Sequence, residues 1–413
     1  MKLLLVTSRF PFGPKESFLT EEVLELAKLF DITLFPAVPT AEATAVPELQ
    51  TRSVRMRLFS PAVLRHALAE TLRSPLHVMR TFATIVGAPR AVHAKIKNAL
   101  VFPTALAAAR VARDERIDHV HAYWMSAPST VAYVVARLCG IPWSATGHRY
   151  DLVDFNVCTV GTPSSGFFAT ARFVRTISRQ GAERLAYFSL NGPPVHVIHL
   201  GVALPAHIEP TRASTMHLIC AANLEPVKGH ETLLLALAGA LRLVPARVTI
   251  AGDGSLRASL EALTTELGIN EYVTFEGSVP HDRLLARLRA GEFHAAILTS
   301  VDEGPAQREG IPVFLMEAMA AGLPVIATRS GAIVELGGGD AALLCDPGDS
   351  AGVCGAIVAL AKDARLRARF GAAGRARVER DFDVRSCAMT LSEQICDKPA
   401  PAMVTARGVE ISV

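Results

Sequence analysis

Long uncharged apolar runs, paired cysteine motifs and a strong excess of charge are all missing from this 413-residue chain. Each absence removes a class of protein. The longest stretches without Asp, Glu, Lys or Arg, such as residues 119–136, are broken by His, Ser, Thr and Pro and fall short of a spanning helix. No transmembrane helix is expected. Residues 1–8 are too few, and too quickly closed by Arg9 and a proline turn, for the apolar core of a secretory leader; they read as a buried first strand. The seven cysteines are odd in number, scattered and without a Cys-x-x-Cys pair, which speaks against a disulfide framework and a structural zinc. They fit reduced core thiols in a cytoplasmic protein. A net charge of +3 is too small to direct the chain to nucleic acid.

What is present is apolar material. Half the residues are hydrophobic, and the length suits two domains of ordinary size, each with its own core. Charge is uneven along the chain: residues 51–113 hold eleven Lys or Arg against one acid, Glu70. The spacing of Leu64, Leu68, Leu72, Leu76 and Met79, with Arg65, Arg73 and Arg80 beside them, predicts an amphipathic basic helix. Such a face can rest on an anionic membrane leaflet; an ordinary solvated helix face is the plainer alternative.

Apolar runs of strand length fall at 2–7, 32–35, 119–122, 143–146 and 174–177, with a helical pattern over 20–29. Alternation of this kind gives a parallel sheet with crossover helices. A Pro-rich stretch, 191–210, interrupts it. The pattern then restarts, with strands over 217–221, 248–251, 273–276, 295–298 and 324–328 and helices over 231–243, 256–267, 282–289 and 312–321. The expected fold is α/β: two doubly wound domains facing each other across a cleft, over 1–200 and 201–375. A helix over 376–395 should cross back to the first domain, and 396–413, rich in Pro and Ala, reads as a disordered tail. Ligands of such sheets bind at the carboxyl ends of the strands.

The strongest local signal there is Glu309-Gly310-Ile311-Pro312-Val313, which runs through Glu317 to Gly322. Pro312 suits the first helical position and Gly322 the position just past the end. The N–H groups of Gly310, Ile311 and Val313 at that helix start suit a diphosphate. Glu317, inside an apolar helix, needs a polar partner if buried, and vicinal ribose hydroxyls offer two donors; a carboxylate within a helix is more often simply solvated. Lys228, before Gly229 in a strand-to-helix loop, is by itself no more than a loop lysine.

Together these elements resemble the Glu-x7-Glu signature of retaining GT-B glycosyltransferases of family 4, and the resemblance runs over roughly residues 1–390. It implies a GT-B fold of two Rossmann-like domains and assigns Glu309 to the donor sugar, Glu317 to the ribose and Lys228 to the departing diphosphate. The family's usual Arg five residues before that Lys is here Asn223, which donates a hydrogen bond but has no charge. Ala145-Thr146-Gly147-His148-Arg149-Tyr150-Asp151 resembles the family's His-x-x-Asp element, making His148 the first-domain catalytic candidate; Asp151 either sits near the sugar or caps the following turn. The opening Phe10-Pro11-Phe12-Gly13, continuing to Glu16-Ser17-Phe18, resembles exopolysaccharide-type members; Gly13 either lets the backbone approach the acceptor or sugar or belongs to a plain strand-to-helix turn. Val279, in Gly277-Ser278-Val279-Pro280, is expected at the base, and Gly331 to Glu335 at the donor.

The resemblance implies transfer of a sugar from a nucleotide diphosphate donor to a glycan or lipid-linked acceptor in cell-surface polysaccharide synthesis, with anomeric retention. No cofactor or metal is implied, and no Asp-x-Asp triad stands in a strand-end loop. The enzyme is expected in the cytoplasm, peripheral at the inner membrane face. A nucleotide-sugar epimerase, or a binding-only relative weakened at Asn223, is the alternative.

Overall fold

The structure, a computed structural model, describes residues 1–13, 16–42, 46–89, 91–148, 151–152, 168–188, 192–211, 215–302, 304 and 308–396. The first domain runs β1 (Lys2–Thr7), α1 (Thr20–Leu29), β2 (Asp31–Pro36), α2 (Pro61–Arg73), α3 (Pro75–Gly87), α4 (Val92–Asp114), β3 (His119–Ala122), α5 (Ala127–Cys139), β4 (Trp143–Gly147), β5 (Val174–Thr176), α6 (Arg179–Phe188) and β6 (Val195–Val197). Its sheet has the order β2-β1-β3-β4-β5-β6, every pair parallel. A strand such as β1, apolar from Leu3 to Val6, forms where both faces are covered by helices.

The second domain runs β7 (Met216–Ala221), α7 (His230–Ala240), β8 (Ala246–Ala251), α8 (Arg257–Glu266), β9 (Val273–Gly277), α9 (His281–Arg289), β10 (Ala295–Leu298), α10 (Val313–Ala320), β11 (Val325–Thr328), α11 (Ile333–Gly337), β12 (Leu343–Cys345), α12 (Ser350–Lys362) and α13 (Ala364–Asp381). The order β12-β11-β10-β7-β8-β9 is again parallel, and winding reverses between β7 and β10. That reversal opens a crevice at the strands' carboxyl ends.

Two segments differ from the sequence expectation. The basic helix predicted through Leu64 and Met79 is two helices, broken at Ser74-Pro75. The ring of Pro75 drives the preceding residue out of the helical region, and Ser74 sits at φ −148°, ψ 64°. The helix expected over 376–395 is likewise two pieces, the end of α13 and a separate α14 (Val384–Ile395). The crossing itself is made at 382–384, where Val202 exchanges backbone hydrogen bonds with Phe382 and Val384, and α14 then packs on α1. Apart from Cys396, the expected tail lies outside the described residues.

A fully buried ion pair ties the first domain together. Arg175 in β5 donates to both oxygens of Glu22 in α1 at 2.6 and 2.7 Å, and to the carbonyls of Ile198 and His199. Tyr123 donates to the same carboxylate at 2.7 Å. Every charge is matched, as burial at this depth requires.

Candidate active site

At the winding reversal of the second sheet lies a cleft of about 660 Å³, and the first domain closes it with Ser17 and Phe18. Lys228 reaches it from a short 3-10 turn, Pro226-Val227-Lys228, that ends in left-handed Gly229 (φ 63°). Any side chain at Gly229 would put its Cβ 1.9 Å from the carbonyl oxygen of Thr299, so the turn lies directly on the end of β10. From there the Lys228 ammonium donates to both oxygens of Glu309, at 2.9 and 2.7 Å. Ser300 Oγ donates to Glu309 Oε2 at 3.1 Å, and the Glu309 N–H donates to Ser330 Oγ at 3.4 Å. Gly331 presses on the same residue: a Cβ there would lie 1.9 Å from the Glu309 carbonyl oxygen.

Helix α10 starts at Val313, with Pro312 at the cap one position earlier than expected, and ends before left-handed Gly322. The N–H groups of Gly310, Ile311 and Val313 have no hydrogen-bond partner among the described residues. Ile311 and Val313 line the cleft together with Asn223, Val279 and Glu317; Gly310 is beside it but not in its lining. Glu317 is buried, and its Oε1 lies 2.6 Å from His281 Nε2 at the start of α9. That hydrogen bond raises the His281 pKa above its usual value against the opposing effect of burial, aided by the charges of Glu317 and of Glu21 in the first domain. His281 thus joins α9 to α10.

The first-domain wall is set by Glu16. Its carboxylate accepts the N–H groups of Arg9 and Phe10 at 2.6 and 2.8 Å and that of Ser8 at 3.3 Å, and it also accepts from the Trp124 indole. This nest fixes the loop after β1 and turns Ser17 and Phe18 toward the cleft. His148 packs behind them, with ring centroids 4.2 Å from Trp124 and 5.8 Å from Phe18. It is one aromatic layer back from the cleft lining. Burial lowers its pKa to about 3, and its Nε2 has no partner among the described residues. Asp151 accepts the His148 N–H at 3.1 Å and donates its own N–H to the His148 carbonyl, which is the turn-closing arrangement; burial pushes its carboxyl to about 7. Arg149 and Tyr150 lie outside the described residues. Gly13 stands beside Glu42 and Thr40, away from the cleft lining.

Glu335, expected at the donor, is elsewhere. It accepts the Arg179 N–H at the start of α6 at 3.0 and 2.8 Å and lies 2.8 Å from His199 Nε2, so it ties the two domains at their junction. Sequence reasoning missed His281, Glu16 and Trp124 as site residues. His281 directly follows the Gly277–Pro280 element that it did single out, and Glu16 is the acid of the Glu-Ser-Phe opening.

Residues 210–377 match the family model described as Glycosyl transferases group 1. D-inositol 3-phosphate glycosyltransferase 1 of Catenulispora acidiphila is 30% identical over 297 residues, which cover 64% of this chain and 68% of that protein. The chain belongs to the glycosyl transferases group 1 family. A further relative, the GDP-mannose-dependent alpha-(1-6)-phosphatidylinositol monomannoside mannosyltransferase of Mycolicibacterium smegmatis, is 31% identical over 160 residues. That match spans 38% of this chain and only 42% of the mannosyltransferase. Among solved structures, Anabaena HepE in complex with UDP superposes with a TM-score of 0.70 at 17% identity, covering 96% of this chain and all of HepE. The fold of this group 1 glycosyl transferase is GT-B.

Proposed function

We propose that the protein transfers a sugar, with retention of anomeric configuration, from a nucleotide diphosphate donor to a hydroxyl of a glycan or lipid-linked acceptor of the cell surface. The observation that carries this reading is the convergence of Lys228, Glu309 and Glu317 on one cleft at the switch point of the second sheet. A diphosphate placed against the start of α10 meets the N–H groups of Ile311 and Val313, with Gly310 beside them, and the Lys228 ammonium. Asn223 adds a hydrogen bond in place of a charge. Glu317 takes the ribose hydroxyls and displaces His281. Glu309 takes the sugar, and the backbone near Val279 faces the base.

In same-face substitution the bond from the anomeric carbon to the phosphate oxygen breaks and the acceptor oxygen bonds to that carbon. The acceptor proton passes to the departing phosphate. The protein's task is then to orient both partners and stabilise the diphosphate, which Lys228 and the helix start do without a metal. His148 serves the sugar side through its stack on Trp124 and Phe18, and Asp151 holds the turn that carries it.

The relatives' names are those of transferases, which favours transfer over the epimerase or binding-only alternative. The inositol phosphate and phosphatidylinositol in those names fit a polyol or lipid-linked acceptor, met at the inner membrane face. Release of nucleoside diphosphate from UDP- and GDP-sugars, in EDTA and with a lipid-linked acceptor panel, tests this reading. Acceptor-dependent release that falls by about a hundredfold or more in Glu309→Gln supports it; release without acceptor, or none with any pair, counts against it.

A further inference from the structure

Outside the cleft, one surface departs most from an ordinary soluble face: the outer side of α2, α3 and α4. Of the seventeen large apolar side chains exposed among the described residues, ten lie between Phe59 and Leu100. Scattered singly they would need no explanation, but a concentration of this kind marks an interaction surface. They run as stripes: Leu64, Leu68 and Leu72 at four-residue spacing on α2, Leu76 and Met79 on α3, and Val92, Ile96 and Leu100 on α4. Leu72, Leu76 and Val92 are 73, 69 and 69% exposed. Other positions on the same helices, Val63 and Ala67, Val78 and Ile85, Ala94 and Val101, are buried. The domain core is therefore complete without the stripes.

The polar complement of this face has one sign. Arg57, Arg65, Arg73, Arg80 and Lys97 are exposed among the apolar residues. The single acid of residues 51–113, Glu70, is buried against Arg113 at 3.1 Å, so it adds nothing to the surface. No helix is long and apolar enough to cross a membrane among the described residues, and the break at Ser74-Pro75 leaves two short helices, a form suited to lying on a surface.

We propose that the α2–α4 face is a docking surface for an anionic lipid leaflet, with the leucine stripes entering the acyl boundary and the arginines meeting headgroup phosphates. The charge pattern selects this occupant. A second copy of the chain would bring two cation-only faces together and repel itself. A leaflet supplies the missing anions and an apolar layer at one depth, and long Arg and Lys side chains reach headgroups while their stems remain apolar. The proposal extends the lipid-linked acceptor reading but stands on the surface itself, so vesicle binding and nucleotide binding succeed or fail separately.

Co-sedimentation of the full chain with phosphatidylcholine vesicles, with and without phosphatidylglycerol, tests it, using R65Q/R73Q/R80Q and L68S/L72S/L76S alongside the parent. The parent should bind only the anionic vesicles. The arginine triple should lose about a hundredfold in partitioning at low salt, and the leucine triple should lose binding at low and high salt alike. Calorimetric nucleoside diphosphate binding unchanged in both variants shows an intact second domain. A parent that ignores anionic lipid, or variants that bind as the parent does, would overturn the proposal. So would a dimer of the parent, abolished in the leucine triple, with no vesicle binding.

Discussion

The ammonium of Lys228 lies 2.7 and 2.9 Å from the two carboxylate oxygens of Glu309. The cation proposed for the diphosphate and the carboxylate proposed for the sugar therefore neutralise each other, and a donor must compete for Lys228. Removing Lys228 leaves a buried carboxylate without its cation, and removing Glu309 leaves a partly buried ammonium without its anion.

Lys228→Ala should cost about 1–2 kcal/mol of stability, less than a fully buried pair because both groups keep some solvent. Adding Glu309→Gln should recover most of it, with turnover still at background. A double-mutant cycle by chemical denaturation reads the coupling; additive losses would refute the pair.

The His281–Glu317 contact predicts a pH dependence. The raised His281 pKa means that its stabilising effect is fully present below pH 6.5, the unfolded value, and is lost as pH rises through the higher folded value. The Tm gap between the parent and His281→Gln should therefore narrow from pH 6 to pH 9. A gap constant across that range would contradict it.

Asn223 lines the cleft and is exposed, at the position where the resembling family carries Arg. Asn223→Arg should tighten nucleoside diphosphate binding by roughly five- to tenfold at low salt and by less at high salt. Calorimetry at two salt concentrations measures this, and no change at either would place residue 223 away from the phosphates.

Gly331 has φ 52°, and a Cβ there meets the Glu309 carbonyl oxygen. Gly331→Ala should destabilise by about 1–3 kcal/mol and lower turnover, because the backbone carrying Glu309 must move. Parent-like melting and kinetics would show that this approach is not needed.

Much of the architecture was legible because parallel strands buried on both faces are short apolar runs that repeat at crossover spacing. β1, β3 and β10 fall where those runs place them. β6 and β12 escaped, being three-residue strands with half-buried side chains. The α2–α3 break was written in Pro75 but hidden by an apolar spacing that continues across it. Lys228, Glu309 and Glu317 could be picked out because their spacing resembles a family signature; alone, a loop lysine and a helix carboxylate carry little local signal. His281, Glu16 and Trp124 could not, since their roles depend on partners 36, 6 to 8 and 108 residues away. Glu335 shows the converse: a motif position does not reveal that its carboxylate faces the domain junction.

The most direct test is a calorimetric panel of UDP, GDP, ADP and dTDP, without metal, on the parent, Lys228→Ala and Glu317→Ala. The account predicts that one diphosphate binds the parent and that both substitutions weaken it by tenfold or more, roughly a lost charged hydrogen bond each. Binding that neither substitution disturbs, or no binding of any diphosphate, would contradict a donor site in this cleft.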